Sequence, residues 1–147
     1  MITGRSAAAL WGVRLARAQD CVQVVVPDST RIARRAGLDV RRTLVRVNEC
    51  TPWSGVAVAT PLRTTLDLLL YRSLPDAVAD LDAVLRAGLV ALPQVAAMVK
   101  QRSDKGIVLA RHAVQLRPEN VNSSGPNPGL SRSTGSRTRA ADWPEPI

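Results

Sequence analysis

Aromatic side chains are nearly missing from this chain: there is no Phe, one Tyr and three Trp in 147 residues. Its core must therefore be aliphatic, and single-stranded nucleic acid would find few platforms for base stacking. Cysteine and histidine are as scarce, with Cys21, Cys50 and His112 as the whole supply and no Cys-x-x-Cys pair. A structural zinc site needs four ligands at recognisable spacing, so this inventory argues against one. Both thiols read as reduced cysteines of a cytoplasmic protein, because a bridge between them needs an oxidising compartment. No apolar run reaches the roughly 20 residues of a membrane span. The stretch SAAALWGV followed by LARAQD imitates a secretory signal, but Arg14 and Arg17 stand where a cleavage region is small and neutral. The glycines form neither Gly-x-Gly-x-x-Gly nor a Walker loop, so no phosphate cradle is marked and no cofactor is expected. Internal repeats at solenoid periods are absent.

What the chain does have is aliphatic content and arginine. It is 46% apolar, long enough for one cored domain, and carries a net charge of +8, with 18 Arg against 2 Lys. A guanidinium-rich surface suits phosphates and carboxylates through its planar fork. A genome rich in G and C also inflates Arg and Ala, so the charge admits both readings.

The pattern along the chain predicts strands first and helices afterwards. Ser6–Ala18 reads as a short Ala-rich helix with Ser6 as its N-cap. Cys21–Pro27, β-branched and closed by proline, reads as a strand; the segment to Gly37 is a polar turn or a single helical turn; Asp39–Glu49 is a second strand. TPWSG reads as a loop and Val56–Thr60 as a third strand. From Thr60 the apolar period changes to about 3.6. Thr60 caps a helix that has Pro61 at its first position and a stripe of Leu62, Leu66, Leu69 and Leu70. Three more helices follow: Leu74–Ala87 stopped by Gly88, Leu92–Gln101, and Ile107–Leu116. The expectation is an α+β domain over residues 1–117, a small sheet of about three strands packed on four to five helices. Residues 118–147, rich in Pro, Ser and Gly, are expected to be a disordered tail.

Few residues carry candidate chemistry. Arg63 and Asp67 lie four apart in an otherwise leucine-rich helix and so share a face. No second acid, histidine or metal ligand accompanies them, which favours a structural brace over catalysis. His112 lacks any Ser-His-Asp or Cys-His context. Asp76 and Asp80 fit a helix dipole better than a Mg²⁺ site, because Asp82 points elsewhere. The remaining feature is Arg31, Arg34, Arg35, Arg41, Arg42 and Arg46, six guanidiniums within sixteen residues. Such a cluster fits an acidic protein, a nucleic-acid backbone, or solvent alone.

Read in order, ITGRSAAALWGVRL, VQVVVP, GLDVRRTLV, GVAVATPLRTTLDLL and AVADLDAVLRAGLV resemble the AbiEi-type antitoxin domain of type IV toxin–antitoxin systems, over about Ile2–Leu116. The sharpest match is at Thr60, Pro61, Leu62, Arg63, Thr64 and Asp67, followed by Leu81–Val90. The resemblance implies a non-enzymatic regulator or protein-binding domain, with a nucleotidyltransferase-like toxin as partner and DNA as a second candidate. It implies a structural place for Arg63 and Asp67, where strands meet helices. Relatives usually carry an N-terminal winged helix-turn-helix, and many actinobacterial ones a C-terminal nuclease similar to very-short-patch-repair enzymes. Neither neighbour is recognisable here, so a truncated or frame-disrupted product is expected. A remnant of a nuclease-fused protein, or a nonspecific basic DNA binder, are the alternative readings.

Overall fold

The computed structural model describes residues 1–117; the expected disordered tail, residues 118–147, lies outside the described residues. Nine elements follow one another: α1 (Gly4–Leu10), β1 (Val22–Val26), β2 (Leu38–Arg42), β3 (Cys50–Trp53), β4 (Val56–Ala59), α2 (Pro61–Leu70), α3 (Leu74–Arg86), α4 (Leu92–Gln101) and α5 (Ile107–Gln115), with a single 3₁₀ turn at Val47–Glu49 before β3. The class is α+β, as the sequence pattern predicts.

The strands form two pairs. β1 and β2 run parallel, Val24 opposite Val40, and β3 and β4 run antiparallel, Thr51 opposite Val58. The first residues join the pairs. Ile2 bridges Val24 on one side and Val58 on the other, donating its N–H to Ala57 O at 2.8 Å while its own carbonyl accepts from Ala59 N at 2.8 Å. The spatial order is thus β2, β1, the Met1–Thr3 segment, β4, β3, and the outer edges of β2 and β3 are open among the described residues.

Three local expectations give way. The first helix is α1, seven residues long with Thr3 rather than Ser6 at its N-cap position, and it ends where Gly12 adopts a φ of +88°. The bonds Gly12 N to Ala9 O and Val13 N to Ala8 O make this a Schellman stop. Ser6 instead accepts from Gln23 N at 3.0 Å, tying α1 to β1. The expected strand Asp39–Glu49 stops at Arg42, because Glu49 is drawn inward and its carboxylate accepts from Arg46 N at 3.1 Å, closing the 3₁₀ turn. The expected TPWSG loop is half strand. Ser54 (φ +42°) and Gly55 (φ +77°) form a two-residue hairpin turn in which both positions are left-handed, so β3 and β4 pair directly. Pro52 fits because β3 lies at an edge.

α2 is the axis of the helical layer, with every residue from Arg63 to Leu70 buried. Leu66, Leu68 and Leu69 pack with Leu81 and Val84 of α3, Val95 and Val99 of α4, and Ile107, Ala110 and Ala113 of α5. A smaller cluster of Ala7, Val58 and Ala59 lies on the sheet, closed by Trp11 and Trp53 edge to face at 6.5 Å. No helix among the described residues is long and apolar enough to cross a membrane.

Two glycines separate backbone strain from packing. Gly88 (φ +69°) ends α3 with open space around it, whereas Gly106 (φ +89°) starts α5 with its Cα against α2: a Cβ there would lie 2.6 Å from the Leu70 carbonyl oxygen. Replacing Gly88 with Ala is expected to cost about 1–2 kcal/mol, the left-handed penalty alone. Gly106→Ala should cost clearly more, since a backbone oxygen cannot step aside; urea unfolding of the two variants checks the order.

Candidate functional site

Two polar constellations stand out, one buried and one exposed. The buried one grows from the start of α2. Thr60 Oγ1 accepts from Arg63 N at 3.4 Å, Pro61 occupies the first turn, and Thr64 Oγ1 donates to Ala59 O at 3.2 Å, so β4 runs into α2 without an unsatisfied corner. This fixes Arg63 and Asp67 on the helix face that meets the sheet. Arg63 Nε donates to both Asp67 oxygens at 3.1 Å, and the two side chains are 1% and 0% exposed. Thr3 Oγ1 completes Asp67 from the joining segment.

The ion pair continues well beyond these two residues. Arg63 Nη1 donates to Glu49 Oε2 at 2.6 Å and to Leu44 O at 3.3 Å. The other Glu49 oxygen takes Arg102, which also grips Asp104 through Nε at 2.6 Å and Nη2 at 3.1 Å. Arg111 of α5 binds the Val99 and Arg102 carbonyls at 2.9 and 2.8 Å and so holds the α4–α5 corner. Charges alternate along the chain Asp67, Arg63, Glu49, Arg102, Asp104.

Titration follows from this order. Burial pulls the Glu49 carboxyl upward, but the Arg46 N–H and the two guanidiniums outweigh it and hold the group below its usual range. Asp104 is held low by Arg102. At Asp67 burial dominates and pushes the carboxyl up against the pull of Arg63 and Thr3. Above the centroid of Tyr71, whose hydroxyl is pushed up by burial and the Asp67 charge, sits Arg41 at 4.2 Å.

The exposed constellation is the arginine cluster. The structure brings Arg34, Arg35 and Arg42 together around an open groove of about 560 Å³, floored by Ile32, Leu38 and Val40. Arg31 and Arg46 are exposed but do not line it. Arg41 is half-buried, paired with Asp39 at 3.2 Å and stacked on Tyr71, so it braces β2. Beyond Arg42 the chain presents Leu44 and Val47 to solvent, 68% and 93% exposed.

Other sequence candidates fall elsewhere. His112 is exposed on α5. Asp80, expected to serve the dipole of α3, is 2% exposed and bonded by Arg5 at 2.9 and 3.2 Å, which ties α3 to α1. Asp76 keeps its place at the helix start, where Ser73 caps its N–H. No group of three His, Cys, Asp or Glu among the described residues is placed to hold a metal ion. Glu49, Arg102 and Asp104 were not singled out by sequence, since they lie 14 residues or more from Arg63 and follow no local period.

Removing Arg63 would leave Asp67 buried with no cation beside it and Glu49 short of one of its two guanidiniums, so Arg63→Ala is expected to lose about 3–5 kcal/mol of stability in urea unfolding. The pH dependence has a definite sign at Asp104. Its folded value is below the ordinary 3.8, so its stabilisation is complete above that pH and is lost as pH falls through the folded value. The Tm difference between wild type and Asp104→Asn should therefore be full at neutral pH and shrink below about pH 4.

Comparison with known proteins places this arrangement. No curated protein and no solved structure matches the chain. One family matches, described as the AbiEi antitoxin C-terminal domain, over residues 2–116, which takes in the joining segment, both strand pairs, the buried ion chain and all five helices. The chain belongs to the AbiEi antitoxin C-terminal domain family.

Proposed function

We propose that this domain is the non-catalytic, cytoplasmic antitoxin part of a toxin–antitoxin pair, that it acts by binding, and that its partner is a nucleotidyltransferase-like toxin. The family match across residues 2–116 carries this reading. The groove of Arg34, Arg35 and Arg42 is the binding face we assign to it, because three exposed guanidiniums converge there on an apolar floor. The buried pair of Arg63 and Asp67, with Thr60, Pro61 and Thr64 around it, serves as the brace at the junction of sheet and helices. The two side chains are closed off from solvent and bonded to one another, to Glu49 and to Thr3, with Arg63 Nη2 buried and unpartnered among the described residues, which suits scaffolding better than substrate binding.

Duplex DNA is the second partner class, favoured by one observation: Arg31, Arg34, Arg35, Arg42 and Arg46 are all exposed on consecutive segments. Contacts of that kind release counterions and weaken steeply with salt.

Co-expression with a nucleotidyltransferase-like toxin tests the proposal. Growth should be restored by the chain and lost again with Arg34→Glu, Arg35→Glu and Arg42→Glu combined, while the Tm stays at the wild-type value. Toxicity unaffected by the wild-type chain would overturn the antitoxin reading, and undiminished rescue by the triple variant would overturn the groove. If DNA is the partner, the same three changes should lower the slope of log K against log salt by about 3.

A further inference from the structure

The groove runs beside a strand with an unused edge. β2 has β1 on one side, register Leu38–Arg42 against Val22–Val26, and no strand on the other among the described residues. In a parallel pair, alternate residues turn their N–H and C=O away from the partner. On β2 these are Leu38, Val40 and Arg42, and because Leu38 N already bonds Arg35 O at 3.2 Å, the outward ladder begins at the Leu38 carbonyl. Leu38, Val40 and Arg42 share one face of β2 and line the groove together with Ile32, Arg34 and Arg35. The carboxylate at the border, Asp39, is already bonded by Arg41 at 3.2 Å and Gln23 at 3.4 Å. Three guanidiniums there are left without a carboxylate partner among the described residues.

We propose that this edge captures an extended acidic segment of a partner protein, which adds as a strand to β2 with every second residue on the groove face, these being apolar beside Leu38 and Val40 and acidic at the two ends, toward Arg42 and toward Arg34 and Arg35. The proposal rests on the groove being the binding face and names the form of what binds there. Each part of the surface selects this occupant. The ladder rewards a peptide backbone, which DNA lacks. The floor rewards aliphatic side chains, and no aromatic ring lines the groove for a base to stack on. The arginines also exclude a second copy of β2, since edge pairing would set like charges close together. An edge guarded in this way stays closed to itself and open to a strand of opposite sign.

The full 147-residue chain is titrated with a fluorescent, end-capped Glu-Ser-Val-Ser-Val-Ser-Glu peptide, whose acidic and apolar residues share one strand face in either direction, the same peptide N-methylated at alternate residues in either register, its isomer Glu-Val-Ser-Ser-Ser-Val-Glu and a 20-base-pair duplex. The Glu-Ser-Val-Ser-Val-Ser-Glu peptide should bind with a dissociation constant below about 1 mM and shift the backbone amides of residues 38–42. Arg34→Ser, Arg35→Ser and Arg42→Ser combined should weaken it by about tenfold, and one of the two N-methylated peptides by at least as much. Equal binding of both N-methylated peptides, or of the isomer whose valines lie on the opposite strand face, would reduce the effect to charge and overturn strand addition. So would the absence of binding, unshifted amides at residues 38–42, or binding of the duplex alone. Growth rescue without peptide binding would leave the antitoxin reading intact and remove this inference. Peptide binding without rescue would do the reverse.

Discussion

One guanidinium sits where every layer of the domain meets. Arg63 springs from α2, binds Asp67 one turn on, reaches Glu49 ahead of β3 and takes the carbonyl of Leu44 in the bend after β2. Through Glu49 it is continued by Arg102 and Asp104 at the corner of α4 and α5, and through Asp67 by Thr3 in the joining segment. Taking such ions out of water costs several kcal/mol each, and the cost is offset only when every charge finds its partner in good geometry. A leucine-only junction would slide with little penalty. Here, a shift of any contributing segment leaves a buried charge exposed to its own desolvation, so the ionic chain sets the register of strands and helices together.

The sequence shows part of this clearly, for physical reasons that can be assigned residue by residue. Thr60 and Pro61 announce a helix start because capping and a fixed φ act locally, and α2 begins there. Gly88 announces the end of α3 because only glycine tolerates the left-handed turn. The Arg63–Asp67 contact follows from helical spacing. Glu49 and Arg102 could not be read in the same way: they are 53 residues apart and meet only once the sheet has folded over the helices. The hairpin at Ser54–Gly55 was hidden by Pro52, which reads as a loop signal until its strand is known to lie at an edge. The sheet itself depends on Ile2, a residue with nothing in its neighbours to mark it as a bridge between two strand pairs.

Counting arginines gives a single number, and the structure divides it into populations with opposite surroundings. Arg63, Arg102 and Arg111 spend their donors on carboxylates and helix-end carbonyls. Arg5 and Arg72 flank buried Asp80, and Arg41 lies over Tyr71. These groups neutralise or stack within the fold and present little to a partner. The positive character available for recognition is concentrated in the stretch from Arg31 to Arg46, where the arginines other than Arg41 are exposed. A net charge of +8 is therefore a statement about solubility and long-range attraction. Specific recognition is decided by which guanidiniums the fold leaves unused.

The two constellations are mechanically linked. The groove ends at Arg42, and two residues later the chain is held at Leu44 O by Arg63, then at Arg46 N by Glu49. Both anchors belong to the buried ionic chain, while Thr43 N is bonded back to Val26 O of β1. The backbone that carries the exposed arginines is thus fixed at its far end by two buried charged groups, Arg63 and Glu49. A surface segment without such anchors would lose conformational entropy on meeting a partner, and that loss subtracts from affinity. Here much of the ordering is already done on folding. The helical junction and the arginine-bearing segment, 20 residues apart in sequence at Arg63 and Thr43, are consequently one unit: the same carboxylate that locks the core positions the loop that leaves it.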